Sequence, residues 1–132
     1  MTKRILVLDD RENLLTLMRM LLEDEDYQVS VLQRGEGAIE RIREEMPDLV
    51  ILDLKLADAS GTDILVGLRS QAGTADIPII VYSAAVLETE ALSNLIAGNP
   101  ARYANVSVLP KPSDLDTLLE RVQQVLGVAQ SS

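Results

Sequence analysis

The sequence predicts an α/β domain built on a parallel sheet, and three observations carry that expectation. Short apolar runs alternate with helical spacing five times along the chain, the pattern of repeated β-α units joined by right-handed crossovers. The runs "RILVL", "LVIL" and "IIVY" are continuous rather than alternating, as strands covered on both faces must be. No linker, internal repeat or low-complexity stretch interrupts the alternation, and 132 residues with 47% hydrophobic content suffice for one domain around one core.

Each element has its own signal. The first strand, Arg4 to Leu8, stops at the acidic pair Asp9 and Asp10. Leu14, Leu17, Met18 and Leu21 then recur at i, i+3, i+4 and i+7, which predicts an amphipathic helix with that stripe facing the core. "YQVSVL", Tyr27 to Leu32, alternates and suits a less covered strand. Weaker helical patterns cover Glu36 to Glu45, Thr62 to Ser70 and Leu87 to Ile96; strands are expected over Asp48 to Leu52, Ile77 to Tyr82 and Val106 to Leu109. Pro110 places the last strand at an edge, after an extended loop over "AGNPARYAN". The final helix carries Leu115, Leu118, Leu119, Val122, Val125 and Leu126 on one face. Ser113 is its expected cap, with Asp116 reaching back as in a capping box. Gly35, Gly37 and Gly61 read as turn and helix-start residues. The expected domain covers residues 1–127, with 128–132 ("VAQSS" beginning at Val128) as a loose tail.

Composition narrows the chemistry. A formal charge of -9 disfavours nucleic acid and anionic membranes as direct partners. With no cysteine and no histidine, the chain has neither thiol chemistry nor the commonest general base. Charged residues follow the first apolar run at once, so no signal-peptide core and no membrane span is expected, and a cytoplasmic location follows.

In an open parallel sheet, ligands bind at the carboxyl ends of the strands. That rule gathers Asp9 and Asp10 from the first strand, Asp53 from the third, Ser83 from the fourth and Lys111 after the fifth. Three carboxylates so close repel one another unless a cation neutralises them, and a hard divalent ion such as Mg2+ suits their oxygens. An aspartate can act as a nucleophile toward phosphorus, with metal, hydroxyl and lysine balancing charge on the transferred group. Each residue also has a plain reading. The acidic pair suits a helix N-terminus, Asp53 a turn, Ser83 a helix cap, Lys111 a surface position, and Lys55 a solvated loop.

Taken together, "LDD" (Leu8 to Asp10), "ILDLKLADASG" (Ile51 to Gly61), "VYSA" (Val81 to Ala84) and "LPKP" (Leu109 to Pro112) resemble the receiver domain of two-component response regulators over residues 3–127. The resemblance implies a flavodoxin-like, doubly wound (βα)5 sandwich with a five-stranded parallel sheet of order 2-1-3-4-5. It implies that Asp53 is the phospho-acceptor and that Asp10 binds Mg2+ directly. Asp9 would help through water, and the backbone carbonyl of Lys55 would add a ligand alongside Asp53. Ser83 would bond the phosphoryl group and Lys111 would pair with it, and the Lys111–Pro112 bond is often cis in such domains. The implied donor is a phosphohistidine on a sensor histidine kinase or a histidine phosphotransfer protein. The domain would catalyse only its own phosphorylation and dephosphorylation, so it is not an enzyme in the usual sense. The implied output is a second packing of the fourth helix, fifth strand and fifth helix. That face would meet an unknown downstream protein, or a second copy in a phosphorylation-dependent homodimer, the chain otherwise being monomeric.

Some positions depart from the family pattern. Val108 stands where an aromatic residue is usual, Ala57 where proline is, and Ser60 where an acidic or amide residue is. Lys55 adds a cation beside the acceptor. The segment between Ser83 and Lys111 is longer than usual. With no output module expected after the fifth helix, the leading expectation is a stand-alone receiver. A pseudo-receiver that binds proteins without phosphate is the alternative. A phosphatase using an aspartyl phosphate ranks last, because the residue two beyond Asp53 is Lys55 where a second aspartate would be needed.

Overall fold

Strand positions follow from where continuous aliphatic runs can be covered on both sides. The computed structural model describes residues 2–111 and 114–127. The strands are Arg4–Leu8 (β1), Gln28–Leu32 (β2), Leu49–Leu52 (β3), Ile79–Ser83 (β4) and Val106–Pro110 (β5). The helices are Glu12–Asp24 (α1), Ala38–Glu45 (α2), Gly61–Arg69 (α3), Val86–Gly98 (α4) and Leu115–Leu126 (α5). All strand pairs are parallel and the sheet order is β2-β1-β3-β4-β5, so the flavodoxin-like expectation holds.

Alternate residues of the inner strands feed two cores. Leu6, Leu8, Val50, Leu52, Ile79 and Val81 pack with residues of α2, α3 and α4 on one face. Ile5, Val7, Leu49, Ile51, Ile80 and Tyr82 pack with α1 and α5 on the other. Each fully covered aliphatic side chain contributes about 1.5–3 kcal/mol over its exposed state, which is why the central strands tolerate no polar residue before their ends. β2 and β5 lie at the edges, as the alternation of "YQVSVL" and the placement of Pro110 require.

The structure corrects the inward face of α1. Leu15, Met18 and Leu22 are buried, whereas Leu17 is 43% exposed and Met20 64%. Leu14 and Leu21 are only half-buried. The helix carries Leu or Met at positions 14, 15, 17, 18, 20, 21 and 22, so several stripes satisfy the helical period and only docking on the sheet selects one. The cap of α5 is also corrected. It is Asp114, whose carboxylate accepts from the Thr117 backbone N–H at 2.8 Å and from its hydroxyl at 2.7 Å. Ser113, Pro112 and the expected tail at 128–132 lie outside the described residues. β4 begins at Ile79 rather than Ile77, since Pro78 has no N–H for the ladder, although its carbonyl accepts from Val50 at 3.0 Å.

The segment after α4 is held rather than loose. Residues 100–105 form successive turns, and Tyr103 is buried in the same core as Leu92. The buried Arg69 guanidinium donates to the carbonyls of Ala104 at 3.1 Å and Thr74 at 3.4 Å. Arg102 reaches Ser70 Oγ at 2.8 Å. Among the described residues, no helix is long and apolar enough to cross a membrane.

Candidate functional site: an acidic pocket at the carboxyl edge of the sheet

The sheet order reverses direction between β1 and β3, so the loops after these strands leave toward opposite faces and open a crevice between them. Backbone bonds continue the ladders past the strand ends and fix the site's floor. Asp9 N donates to Leu32 O at 3.1 Å, Asp53 N to Leu8 O at 3.0 Å, and Lys111 N to Ser83 O at 2.9 Å. All five polar residues expected from the sequence therefore meet at one edge.

Their side chains form a connected network. Ser83 Oγ donates to Asp53 Oδ1 at 2.6 Å, and the same oxygen accepts from Lys55 N at 3.3 Å. Asp53 Oδ2 stands 3.7 Å from Lys111 Nζ. Lys111 Nζ donates more closely to Asp9 Oδ2, at 2.9 Å. Asp9 Oδ1 accepts from Arg11 N at 2.9 Å, with the Arg11 guanidinium 3.6 Å away. Ser83 Oγ also accepts from Ala85 N at 3.2 Å, bracing the turn into α4. Asp9, Asp53 and Ser83 are 3%, 8% and 2% exposed; Asp10 is half-buried and opens onto solvent. A cavity of about 280 Å³ lies over the group, lined by Asp10, Asp53, Lys55, Ser83, Ala84 and Lys111 among others.

One oxygen from each of Asp9, Asp10 and Asp53 lies within 4.8 Å of the others. All three are hard carboxylate donors, and a cation held at about 2.1 Å by some and through water by others suits such a set. The donors thus fit a divalent hard ion. The burial of Asp9, with both oxygens already engaged, leaves Asp10 and Asp53 as the more open carboxylates. Of the two readings of the acidic pair, the metal-holding one fits, since the pair belongs to a cluster able to hold a metal; neither acid caps α1, which starts from Arg11 with no side-chain cap bond, and Asp9 instead accepts from Arg11 N just before the helix.

The loop after β3 keeps Asp53 in place through Gly61. A Cβ at residue 61 would lie 2.1 Å from the Asp53 carbonyl oxygen and 2.6 Å from Leu54 Cα, and Gly61 N donates to Leu54 O at 2.8 Å. Only a glycine lets α3 start against the backbone of Asp53. Lys55 pairs with Ser60 across the intervening turn; its side chain is exposed at the pocket rim.

Two neighbours had no sequence assignment. Arg11 supplies both its backbone N–H and its guanidinium to Asp9, a role that a position directly after the acidic pair could have suggested. Tyr82 faces the α1 and α5 side, as its phase on β4 requires, yet Lys111 Nζ lies 4.9 Å from its ring centroid. Burial pushes the Tyr82 hydroxyl pKa up, while Arg11 opposes and Asp9 and Asp114 add to the rise. Val108 sits opposite Val81 in the sheet register, half-buried against the other core.

A doubly wound parallel sheet with an acidic, lysine-containing pocket at its switch point defines a flavodoxin-like α/β domain. The model of the response regulator receiver domain matches residues 5–123, and the chain belongs to that family. The transcriptional regulatory protein KdpE of Mycobacterium tuberculosis is 37% identical over 119 residues, covering 90% of this chain and 49% of that protein. The phosphate regulon transcriptional regulatory protein PhoB of Rhizobium meliloti is 34% identical over 130 residues, covering 98% of this chain and 55% of that protein. This chain thus spans about half the length of these relatives. Among solved structures, the non-phosphorylated receiver domain of HemR from Leptospira biflexa superposes with a TM-score of 0.79 at 27% identity, covering 99% of both chains. The BeF3-activated N-terminal receiver domain of RstA from Klebsiella pneumoniae gives 0.77 at 28% identity, covering 94% of this chain and 98% of that one.

Proposed function

We propose that this receiver domain accepts a phosphoryl group on Asp53 from a phosphohistidine of a sensor histidine kinase or histidine phosphotransfer protein. The observation that carries the reading is the setting of Asp53: a buried carboxylate bonded by Ser83 at 2.6 Å, 3.7 Å from Lys111, and clustered with two further acids. A carboxylate oxygen of Asp53 attacks phosphorus, the P–O bond forms, the P–N bond of the donor breaks, and the partner's imidazole leaves. Asp10 and Asp53, with the Lys55 carbonyl and with Asp9 acting through water, would hold Mg2+, which neutralises charge on the transferred group when bound. Ser83 and Lys111 take two of the phosphoryl oxygens, and the domain catalyses only its own modification and its reversal.

The added charge draws Ser83 and the turn after it inward, which biases the packing of α4, β5 and α5. Val86 and Leu87, the first residues of α4, are 67% and 77% exposed and lie three and four positions beyond Ser83. An apolar pair so placed suits a protein partner whose docking depends on that turn. A phosphate-independent protein-binding role is the second reading, favoured by the aliphatic Val108 at the position facing β4.

The test is incubation with acetyl phosphate and Mg2+, followed by intact-mass measurement beside the Asp53→Asn variant. A gain of one phosphoryl group in the native protein alone supports the reading. No gain in the native protein with Mg2+ bound replaces it with the phosphate-independent one.

A further inference from the structure

We propose that Tyr82 is a positioning residue for Lys111, its ring holding the ammonium between Asp9 and Asp53. The consequence for phosphoryl chemistry rests on the function proposed above; the positioning itself does not. Lys111 carries its charge on a flexible four-carbon stem that needs confinement to act at one place. Its ammonium stands 2.9 and 3.7 Å from the two acids. It also lies over the face of Tyr82, 4.9 Å from Nζ to the ring centroid, within cation–π range. Tyr82 is itself fixed, 5% exposed in the core shared with α1 and α5, and paired in register with Leu109, two residues before the lysine. The Lys111 side chain is only 8% exposed, so its charge is partly desolvated and the ring's attraction is little screened.

The two faces of the sheet divide the work differently from what the aliphatic Val108 suggests. Val81 and Val108 offer no ring to the pocket from the side of α3 and α4. The aromatic contact comes from the opposite face, through the lysine rather than through Ser83. A ring one position before the serine thus sets where the charge of Lys111 rests.

The experiment reads the contact and its consequence separately. In the native protein with isotope-labelled lysine, the Lys111 ε-methylene protons should resonate upfield of the other lysines because they lie over an aromatic face. Tyr82→Leu should abolish that shift and slow modification by acetyl phosphate and Mg2+ about five- to tenfold, the scale of one partly desolvated cation–π contact. Tyr82→Phe, which keeps the ring, should restore both. An unshifted Lys111 in the native spectrum overturns the proposal, as does a Phe variant as slow as the Leu variant in a folded protein. If the native protein shows the shift but takes no phosphoryl group, the functional reading fails while the positioning stands.

Discussion

The hydroxyl of Ser83 reaches the carboxylate of Asp53 at 2.6 Å, joining the ends of β4 and β3 across the mouth of the pocket. The same hydroxyl accepts from Ala85 N at 3.2 Å, so one oxygen touches both the Asp53 carboxylate and the turn that leads into α4. A change of charge on Asp53 is thereby felt directly where α4 begins, and Val86 and Leu87 stand exposed just beyond. Asp53 and the exposed start of α4 are separated by one side chain.

Replacing Ser83 with Ala should affect both stability and rate. Asp53 would keep only the long bond from Lys55 N at 3.3 Å and the lysine at 3.7 Å, and a buried acceptor deprived of a donor costs about 1–3 kcal/mol. The urea midpoint should fall with an unchanged slope. Modification by acetyl phosphate should slow on the order of 10²-fold, as when one preorganised donor is lost, with Ser83→Thr retaining most of the rate. A Ser83→Ala protein phosphorylated at the native rate would falsify the role given to this hydroxyl.

Gly61→Ala should be more damaging than its size suggests. The new methyl would meet the Asp53 carbonyl oxygen at 2.1 Å, and neither that backbone nor the start of α3 can yield without moving Asp53. Overpacking of this kind costs about 1–3 kcal/mol. Thermal melting should show the loss, and phosphoryl uptake should fall even at temperatures where the variant is fully folded. Uptake equal to native would show that the acceptor's position is insensitive to this loop.

The fold was largely legible because continuous aliphatic runs and their spacing reflect burial on two faces, a constraint that acts locally. Strand existence, the edge position of Pro110 and the inward face of α5 all follow from such rules. The gathering of Asp9, Asp10, Asp53, Ser83 and Lys111 followed from one topological rule about strand ends. What failed depended on tertiary choice. The face of α1 is underdetermined because Leu and Met surround the helix, and Asp114 displaced Ser113 as cap because either residue can accept from the first turn. Tyr82 was out of phase with the pocket on its own strand. Its contact exists only because Lys111 arrives from another element, which no single-strand pattern encodes.

Removing Lys111 should make stability depend on Mg2+. The ammonium lies between Asp9 and Asp53, and both members of its pair with Asp9 are largely buried, at 8% and 4% side-chain exposure. Lys111→Ala leaves Asp9 only the Arg11 guanidinium at 3.6 Å, at a cost of up to about 3 kcal/mol. Mg2+ at 100 times its dissociation constant returns about 2.7 kcal/mol to any folded state that binds it. Urea midpoints in EDTA and in Mg2+ should therefore lie further apart for Lys111→Ala than for the native protein. Equal spacing would mean that lysine and metal do not act on the same acids.

The start of α5 should be the acid-sensitive end of the molecule. The Thr117 hydroxyl and then its backbone N–H hold the Asp114 carboxyl below the ordinary aspartate value of 3.8. A carboxyl depressed on folding contributes stability that is fully present above its unfolded pKa and disappears as pH falls through its folded one. The relevant window therefore lies below pH 3.8, and above it the cap is intact. Because Asp114 is fully exposed, the effect is local: amide protection in the first turn of α5, relative to the intrinsic exchange rate, should fall on acidification ahead of the core strands. Asp114→Asn keeps an acceptor oxygen and removes the titrating proton, so it should flatten this dependence, whereas Asp114→Ala should expose the first turn at every pH. If the Asn variant retains the native acid sensitivity, the titrating group at this helix end is another one.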